Sequence, residues 1–561
     1  MGEGEALPQP FTIHHSPFTI HQKMKTLHLH NTQQDIKQAA GILRRGGLVA
    51  MPTETVYGLA ADALNGGAVR QIFEAKGRPM DNPLIVHVAE FEDIERLHLV
   101  KTIPEKAQKL NEAFWPGPLT IIMEKGEVIP DEVSAGLDTV AIRIPSHPDA
   151  HALLAESALA LAAPSANTSG KPSPTTAEHV ANDIDGRIDA ILDGGSCSVG
   201  VESTVITLAT DPPRILRPGI ITREQIEAVI GSVEVDRAVL NKLENNEKAA
   251  SPGMKYKHYA PRARVILLRG DDEKYITYLN RLYRRDKSVA ALCYTEDVAK
   301  TDAPCITMGS MDDEAQQAQA LFDALRAVDE LDGVTTVYAH CPEATGVGMA
   351  LYNRLIRAAA FEVIDLPKKR IIGLTGQTGA GKSEVSRMLT ELGATVVSAD
   401  EAAREAVEDA QVKAMLCAAF GDVLNHDGAL NRQLVANIAF STPENTKTLN
   451  AITHPTIAAI MLDKAKKAKS DVVFFDASQL FEAGEDVFCD RIIGVIAERD
   501  IRMERLLCRD SITREEAALR MAAQFDEGFF LSMCDDILYN NGTREELYTG
   551  VRALYERSVN P

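Results

Sequence analysis

The sequence predicts an α/β protein whose last third is organised around a phosphate-binding loop. A short apolar strand over 371–375 runs into Gly376-Gln377-Thr378-Gly379-Ala380-Gly381-Lys382-Ser383, followed by a helical pattern over 383–392. Strand, glycine-rich turn and helix are the context in which G-x-x-x-x-G-K-[ST] cradles phosphates. The other two observations are alternations of apolar strands with amphipathic helices, one beginning at Thr26 and one over 263–365. At 561 residues the chain is too long for one core, and its length implies about three or four domains.

Composition narrows the function classes. A net charge of −21 opposes stable nucleic-acid binding by bulk electrostatics, since phosphate contacts need clustered Lys and Arg. The 8 cysteines are scattered without any C-x-x-C, so neither a zinc site nor a disulfide framework is indicated. Reduced, buried thiols are expected. No apolar run reaches the ~18 residues of a membrane span and no signal-peptide core is present, so the expectation is a cytoplasmic protein without membrane partners.

Residues 1–25 carry a short duplication, Pro10-Phe11-Thr12-Ile13-His14 and Pro17-Phe18-Thr19-Ile20-His21, without helical or strand period. A His-bearing tract can bind metal, but a disordered extension is the expectation because nothing with ligand spacing lies beside it. A helix over 33–45 and a strand over 47–51 then lead to Pro52-Thr53-Glu54-Thr55-Val56-Tyr57-Gly58-Leu59. Lys76-Gly77-Arg78-Pro79 ends a helix over 69–75, and Asn82-Pro83 precedes a buried-type strand over 84–88 that contains His87. Arg143 sits in the apolar strand over 139–145. Ala163-Pro164-Ser165-Ala166-Asn167, Glu202-Ser203-Thr204-Val205 and Arg217-Pro218-Gly219 follow.

These segments read as an anion-binding cavity. Lys76, Arg78, Arg143 and Arg217 supply charge, while Thr55, Ser165, Asn167, Ser203 and Thr204 supply uncharged donors. Each alone has an ordinary explanation: a solvated arginine, a Ser-Ala-Asn turn, a satisfied core histidine at 87. Arg143 resists that explanation, because Val140, Ile142 and Ile144 imply burial and a buried guanidinium requires a partner.

Behind the phosphate-binding loop, a strand over 395–397 ends in Ser398-Ala399-Asp400. Strands of a doubly wound sheet end at the ligand crevice, so Asp400 is either a base for an attacking hydroxyl or a helix N-cap. A second buried strand ends at Asp476, with the look of a Walker-B acid. A charged helical stretch over 502–520 places Arg505 and Arg509 as a clamp on phosphates or, alternatively, as partners of Glu504, Glu515 and Glu516.

Residues 26–230 resemble the YrdC/Sua5 family of L-threonylcarbamoyladenylate synthases, through Pro-Thr-Glu-Thr-Val-Tyr-Gly-Leu, Lys-Gly-Arg-Pro, Ala-Pro-Ser-Ala-Asn and Glu-Ser-Thr-Val in that order. The likeness extends through Ser251-Pro252-Gly253-Met254-Lys255-Tyr256-Lys257-His258-Tyr259-Ala260-Pro261, in a segment (231–262) similar to the linker that folds over the active site in longer members. Residues 263–366, which close on Gly346-Val-Gly-Met-Ala-Leu-Tyr-Asn353-Arg354-Leu, resemble their small Rossmann-like C-terminal domain, a cover or scaffold without a glycine fingerprint. The resemblance implies that threonine, bicarbonate and ATP give threonylcarbamoyl-AMP and pyrophosphate for the t6A modification of tRNA, with the transfer machinery as a partner. By the same resemblance Arg78, Asn82, Thr139, Ser165, Ser173, Arg217 and Tyr259 would contact ATP, and Thr55, His87, Arg143, Ala163 and Ser203 threonine. Lys76 and Arg78 would act on the reacting phosphates.

Residues 367–561 resemble dephospho-CoA kinases. The shared motifs are Gly373-Leu-Thr-Gly376, Ser398-Ala-Asp-Glu-Ala-Ala-Arg404, Leu449-Asn-Ala-Ile-Thr-His454-Pro455, Leu480-Phe-Glu-Ala-Gly484, Arg505-Leu-Leu-Cys-Arg509 and Asn540-Asn541-Gly542. This implies a parallel doubly wound kinase sheet and transfer of the ATP γ-phosphoryl to the ribose 3′-hydroxyl of dephospho-CoA. Gly376, Gly379, Ala380, Gly381, Lys382 and Ser383 would bind ATP, Lys382 and Asp400 would be catalytic, and Ser383 would hold Mg²⁺. The chain departs from the family at Ser398, where Asp is usual, at Gln377-Thr378, and at Ser478-Gln479 in place of Pro-Leu. The reading is a fused bifunctional enzyme. Its rival is an RNA-binding front half joined to a P-loop nucleotide switch or another small-molecule kinase; the acidic balance and the candidate base at Asp400 oppose it.

Overall fold

The computed structural model describes residues 25–241, 259–426, 428–510 and 512–559. The duplicated N-terminal motif and Lys255, Lys257 and His258 of the expected linker lie outside the described residues. Contacts divide the chain into two units: Met1–Ala260 with Glu314–Arg326 and Ala344–Arg357, and Pro261–Asp313 with Ala327–Glu343 and Ala358–Pro561.

The first unit is built on an 11-stranded mixed sheet. Its middle runs Gly58–Asp62, Leu161–Ala162, Ile85–His87, Thr139–Arg143, Leu119–Glu124, Thr204–Thr207 and Arg214–Arg217. Ile121, Ile142 and Ile206, all fully buried, line up across neighbouring strands and form part of the core under the sheet. The parallel pairing of Ile85–His87 with Thr139–Arg143 sets His87 opposite Arg143, so the residues that end these strands share one edge. Asn65 caps the helix Gly66–Lys76 by accepting from the backbone N–H of Gly67 and Ala68, which starts that helix three residues before its apolar pattern does. The helix stops at Gly77, whose φ of +61° suits a residue without Cβ. That stop leaves Lys76 buried in the last turn, with Arg78 just beyond it.

The second unit contains two five-stranded sheets, both entirely parallel. The first has the order Cys305–Thr307, Val289–Cys293, Thr336–His340, Arg264–Arg269, Val363–Asp365. The second has the order Thr395–Ser398, Val472–Asp476, Arg370–Gly376, Arg491–Ile496, Asp536–Tyr539, with the strand that feeds the glycine-rich loop at its centre. Ser398 and Leu374 both stand level with Asp476. The loop, Asp476 and the helix carrying Asp400 therefore lie at the same carboxyl edge, where doubly wound sheets bind ligands.

Two expectations need correction. The charged stretch over 502–520 is two helices, Arg499–Asp510 and Arg514–Ala522, because Thr513 caps the second in a reciprocal box with Glu516. The thiols are all free but not uniformly buried: Cys197, Cys293 and Cys489 are buried, whereas Cys508 is exposed. Among the described residues no helix is long and apolar enough to cross a membrane.

Candidate active sites

In the first unit, a cavity is lined by Thr55, Lys76, Arg78, His87, Arg143, Ala163, Ser165, Asn167, Ser173, Glu202, Arg217 and Tyr259, over an apolar floor of Val56, Ile85 and Pro164. Segments far apart in sequence thus converge on one cavity. Arg143 finds the partner its burial demands in Glu54, 2.8 Å away, and donates to the Thr55 hydroxyl at 2.9 Å. Burial alone would raise the Glu54 carboxyl, but the adjacent guanidinium outweighs it and holds the group below its usual range. Burial, helped by the Arg143 charge, pushes His87 down to about 3, so its imidazole is neutral, with Nδ1 3.2 Å from the Ile85 carbonyl.

Arg78 and Arg217 bring two further guanidinium groups into the cavity, each lowered by burial to about 10 and therefore charged at neutral pH. Arg217 is held from behind by the Ser203 hydroxyl and carbonyl, both at 3.1 Å. The buried Arg78 Nε and Asn82 Oδ1 have no hydrogen-bond partner in the protein, an arrangement expected where a polar ligand completes the site. Lys76, pushed well below the usual lysine value by burial, donates to the carbonyls of Ser165 and Asn167 and so ties down the Ser-Ala-Asn turn. Tyr259 closes one wall with its ring tilted against Phe322, centroids 5.1 Å apart.

Four expected site residues do not line this cavity, Thr204 among them, its hydroxyl donating to the Ile221 carbonyl at 2.6 Å. Ser203 lies under it, bonded to Thr120 at 2.7 Å as well as to Arg217, and Asn82 sits behind Arg78. Thr139 stands at the opposite end of its strand from Arg143, paired with Glu124. Sequence reasoning missed Glu54 and Glu202 as functional groups although both belong to quoted motifs. Neither motif carries a Lys or Arg, and no spacing pairs either acid with a distant cation, so no sequence signal marked them.

In the second unit, Gly379 (φ +80°) and Gly381 (φ +96°) shape the phosphate loop. A Cβ on Gly376 would come within 2.4 Å of the Val495 carbonyl, and one on Gly381 within 2.3 Å of Asn540 Nδ2. Asn540 braces the loop by donating to the Ala380 carbonyl at 2.7 Å, Arg505 donates to the carbonyls of Ala380 and Asn540, and the Gln524 side chain accepts from Thr378 N–H at 2.6 Å. Lys382 pairs with Asp476. The surrounding cavity also contains Ser383, Ser478 and Arg509. Arg505 thus braces the loop instead of pairing with nearby glutamates, while Arg509 pairs with Asp510. Asp400 is exposed in the first turn of Ala399–Ala406 and does not line the cavity; the N-cap is Ser398, which accepts from Glu401 N–H, so the capping alternative for Asp400 is excluded. A second groove brings His454 and Lys447 together with Glu482 and Glu485, and burial raises Glu485 to about 7.

Ser383 and Asp476 are hard oxygen donors of the type that suits a divalent ion shared with nucleotide phosphates. Among the described residues there is no cluster of three or more His, Cys, Asp or Glu able to hold a metal ion. Ser383, at the loop, fits as an oxygen donor to an ion shared with nucleotide phosphates.

An arginine-lined cavity and a phosphate loop at the carboxyl edge of a parallel sheet define a chain with two separate nucleotide-using transferase sites. Family profiles match in succession: Sua5/YciO/YrdC, described as telomere recombination, over residues 41–219; the threonylcarbamoyl-AMP synthase C-terminal domain over 221–360; and dephospho-CoA kinase over 370–546. Threonylcarbamoyl-AMP synthase of Bacillus subtilis is 49% identical over 60% of this chain and 96% of its own, and that of Pyrococcus abyssi 48% identical over 59% and 95%. Dephospho-CoA kinase of Corynebacterium jeikeium is 44% identical over 33% of this chain and 97% of its own. The crystal structure of P. abyssi Sua5 complexed with L-threonine superposes with a TM-score of 0.56 at 45% identity, covering 61% of this chain and 99% of that one. The chain belongs to both families, the threonylcarbamoyl-AMP synthases through its front part and the dephospho-CoA kinases through its last third, and is a bifunctional enzyme.

Proposed function

We propose that the front site condenses L-threonine, bicarbonate and ATP into threonylcarbamoyl-AMP, pyrophosphate and water for tRNA t6A modification, and that the rear site phosphorylates the ribose 3′-hydroxyl of dephospho-CoA. The observation that carries the first assignment is the meeting of Arg78, Arg143 and Arg217 in one cavity, where the buried Arg78 Nε has no hydrogen-bond partner in the protein. In this reading Arg143, fixed by Glu54, and Thr55 orient threonine beside the neutral His87. Arg78 and Arg217 hold the triphosphate in line, so that a carbamate oxygen attacks the α-phosphorus while charge spreads onto departing pyrophosphate. Lys76 and Asn82 position the walls around them. No side chain has to form a covalent intermediate.

At the rear site, the loop N–H groups and Lys382 bind the β- and γ-phosphates. Asp400 accepts the proton of the acceptor hydroxyl, and the groove where His454 meets Glu482 is the candidate wall for dephospho-CoA. Mg²⁺ held by Ser383 and the phosphates would neutralise charge on the transferring group. We place the enzyme in the cytoplasm, with the t6A transfer machinery as recipient of the first product, and with layout 1–25, 26–230, 231–262, 263–366 and 367–561 as extension, synthase domain, linker, C-terminal domain and kinase domain.

Two assays test the proposal. Pyrophosphate release should require both threonine and bicarbonate; release that ignores either would reject the synthase reading. ADP formation should rise on adding dephospho-CoA, and a rate unmoved by it would reject the kinase reading.

A further inference from the structure

Ser173, in the front cavity, donates its hydroxyl proton to Glu202 Oε1 at 2.6 Å. Glu202 is itself gripped by Arg354, a fully buried arginine more than 150 residues later in the chain, on the helix Gly348–Ala358. Arg354 donates Nε to Glu202 Oε2 at 3.0 Å and Nη2 to the Glu202 carbonyl at 3.1 Å, while Nη1 reaches the Pro218 carbonyl next to Arg217. One guanidinium therefore joins the cavity wall that carries Ser173 to the turn that carries Arg217. Burial raises the Glu202 carboxyl, but the charges of Arg354 and Arg217 together with the Ser173 bond outweigh it, so it stays ionised and can only accept.

A serine hydroxyl has one proton and two lone pairs. With the proton committed to Glu202, Ser173 can offer a ligand only an acceptor, and phosphate oxygens, being acceptors themselves, have no use for it. We propose that Arg354, through Glu202, is a positioning residue that fixes Ser173 as an acceptor for a hydrogen-bond donor on the nucleoside of ATP: a ribose hydroxyl or the adenine amino group. This rests on the synthase reading above and extends it, because the 263–366 segment then contributes to nucleotide selection and is more than a cover.

The test measures kcat/KM in the full chain for ATP, 2′-deoxy-ATP, 3′-deoxy-ATP and the analogue lacking the 6-amino group, in the native enzyme and in Ser173→Ala, Arg354→Met, Arg354→Lys and Glu202→Gln. In the native chain at least one analogue should be about tenfold poorer than ATP, the effect of one lost hydrogen bond. Ser173→Ala and Arg354→Met should each cut that discrimination to under twofold, acting on the KM for ATP far more than on the KM for threonine; Arg354→Lys should restore part of it. Glu202→Gln, which keeps shape and an acceptor oxygen, separates loss of charge from collapse, and cooperative urea unfolding of the first unit, followed in the full chain, reports whether each variant is folded. Undiminished discrimination in a folded Arg354→Met or Ser173→Ala, equal damage to both KM values, or no discrimination in the native chain would overturn the proposal. Absence of threonine- and bicarbonate-dependent pyrophosphate release from the native chain would instead overturn the synthase reading on which it stands.

Discussion

Arg143 shows how far single residues could be read. Its burial was legible, because the strand Thr139–Arg143 is otherwise apolar and a guanidinium there needs an anion. Its partner was not, since Glu54 lies in a motif of mostly uncharged residues and no periodicity links positions so far apart. Breaking a buried pair costs more than the pair contributes, because one charge is stranded. Arg143→Ala should therefore lower unfolding stability by about 3–5 kcal/mol and abolish threonine dependence. Arg143→Met combined with Glu54→Leu should recover most of the stability and none of the activity, measured by urea unfolding beside pyrophosphate release. His87 makes a pH prediction. Its folded value, about 3, lies below the 6.5 of the free side chain, so between these values the unfolded chain binds more protons and stability increases with pH. The contribution is complete above about 6.5 and is lost as pH falls toward 3. Urea midpoints taken at neutral pH and near pH 4.5 should differ less in His87→Gln than in the native chain; an unchanged difference would mean that another group drives acid unfolding.

The strand, turn and helix around Lys382 were legible as an element, because three glycines and an apolar run of the right length leave little else that the segment could form. The braces on that turn were not, because Asn540 and Arg505 reach it from elements more than 100 residues downstream. The break between Arg499–Asp510 and Arg514–Ala522 could have been read: Thr513-Arg514-Glu515-Glu516 has the spacing of a capping box, hidden by the high helix propensity on either side. Asn540→Ala removes one donor from the Ala380 carbonyl and should raise the kinase KM for ATP by roughly five- to tenfold, about the worth of one hydrogen bond, with synthase turnover unaltered. Gly381→Ala asks more of the loop, since the new methyl group would meet Asn540 at 2.3 Å in a left-handed backbone conformation. Kinase activity should be lost in that variant, and a near-native rate would show that the loop can shift without consequence.

At the scale of the whole molecule, the kinase sheet is held by a helix from outside the kinase profile. Within the second unit, Asp272–Arg285 sends Lys274 to Asp490 at 2.6 Å, Arg281 to Asp535 at 2.7 Å and to the Cys489 carbonyl, and Arg285 to Asp486 at 2.6 Å. Asp490 also accepts from Ile371 N–H at the start of the strand that leads to the phosphate loop, and Asp535 from Ile492 N–H on the neighbouring strand. Nothing in the sequence distinguished these cations from the solvated face of an amphipathic helix, and the charged junction after Pro367 looked like a natural boundary. These pairs are sheltered from solvent, so losing the cations leaves acids with their backbone bonds but without countercharge. Lys274→Ala with Arg281→Ala in the full chain should therefore lower the kinase unfolding midpoint by about 5–10 °C, as expected for the loss of ~2–3 kcal/mol in a segment of this size. The isolated 367–561 fragment should unfold at that lowered temperature, not at the native one, while retaining dephospho-CoA-dependent turnover below it. A fragment as heat-stable as the intact chain would mean that the joint contributes no stability and that the two enzymes are merely concatenated; a midpoint matching the double variant would make the helix Asp272–Arg285 a structural part of the kinase.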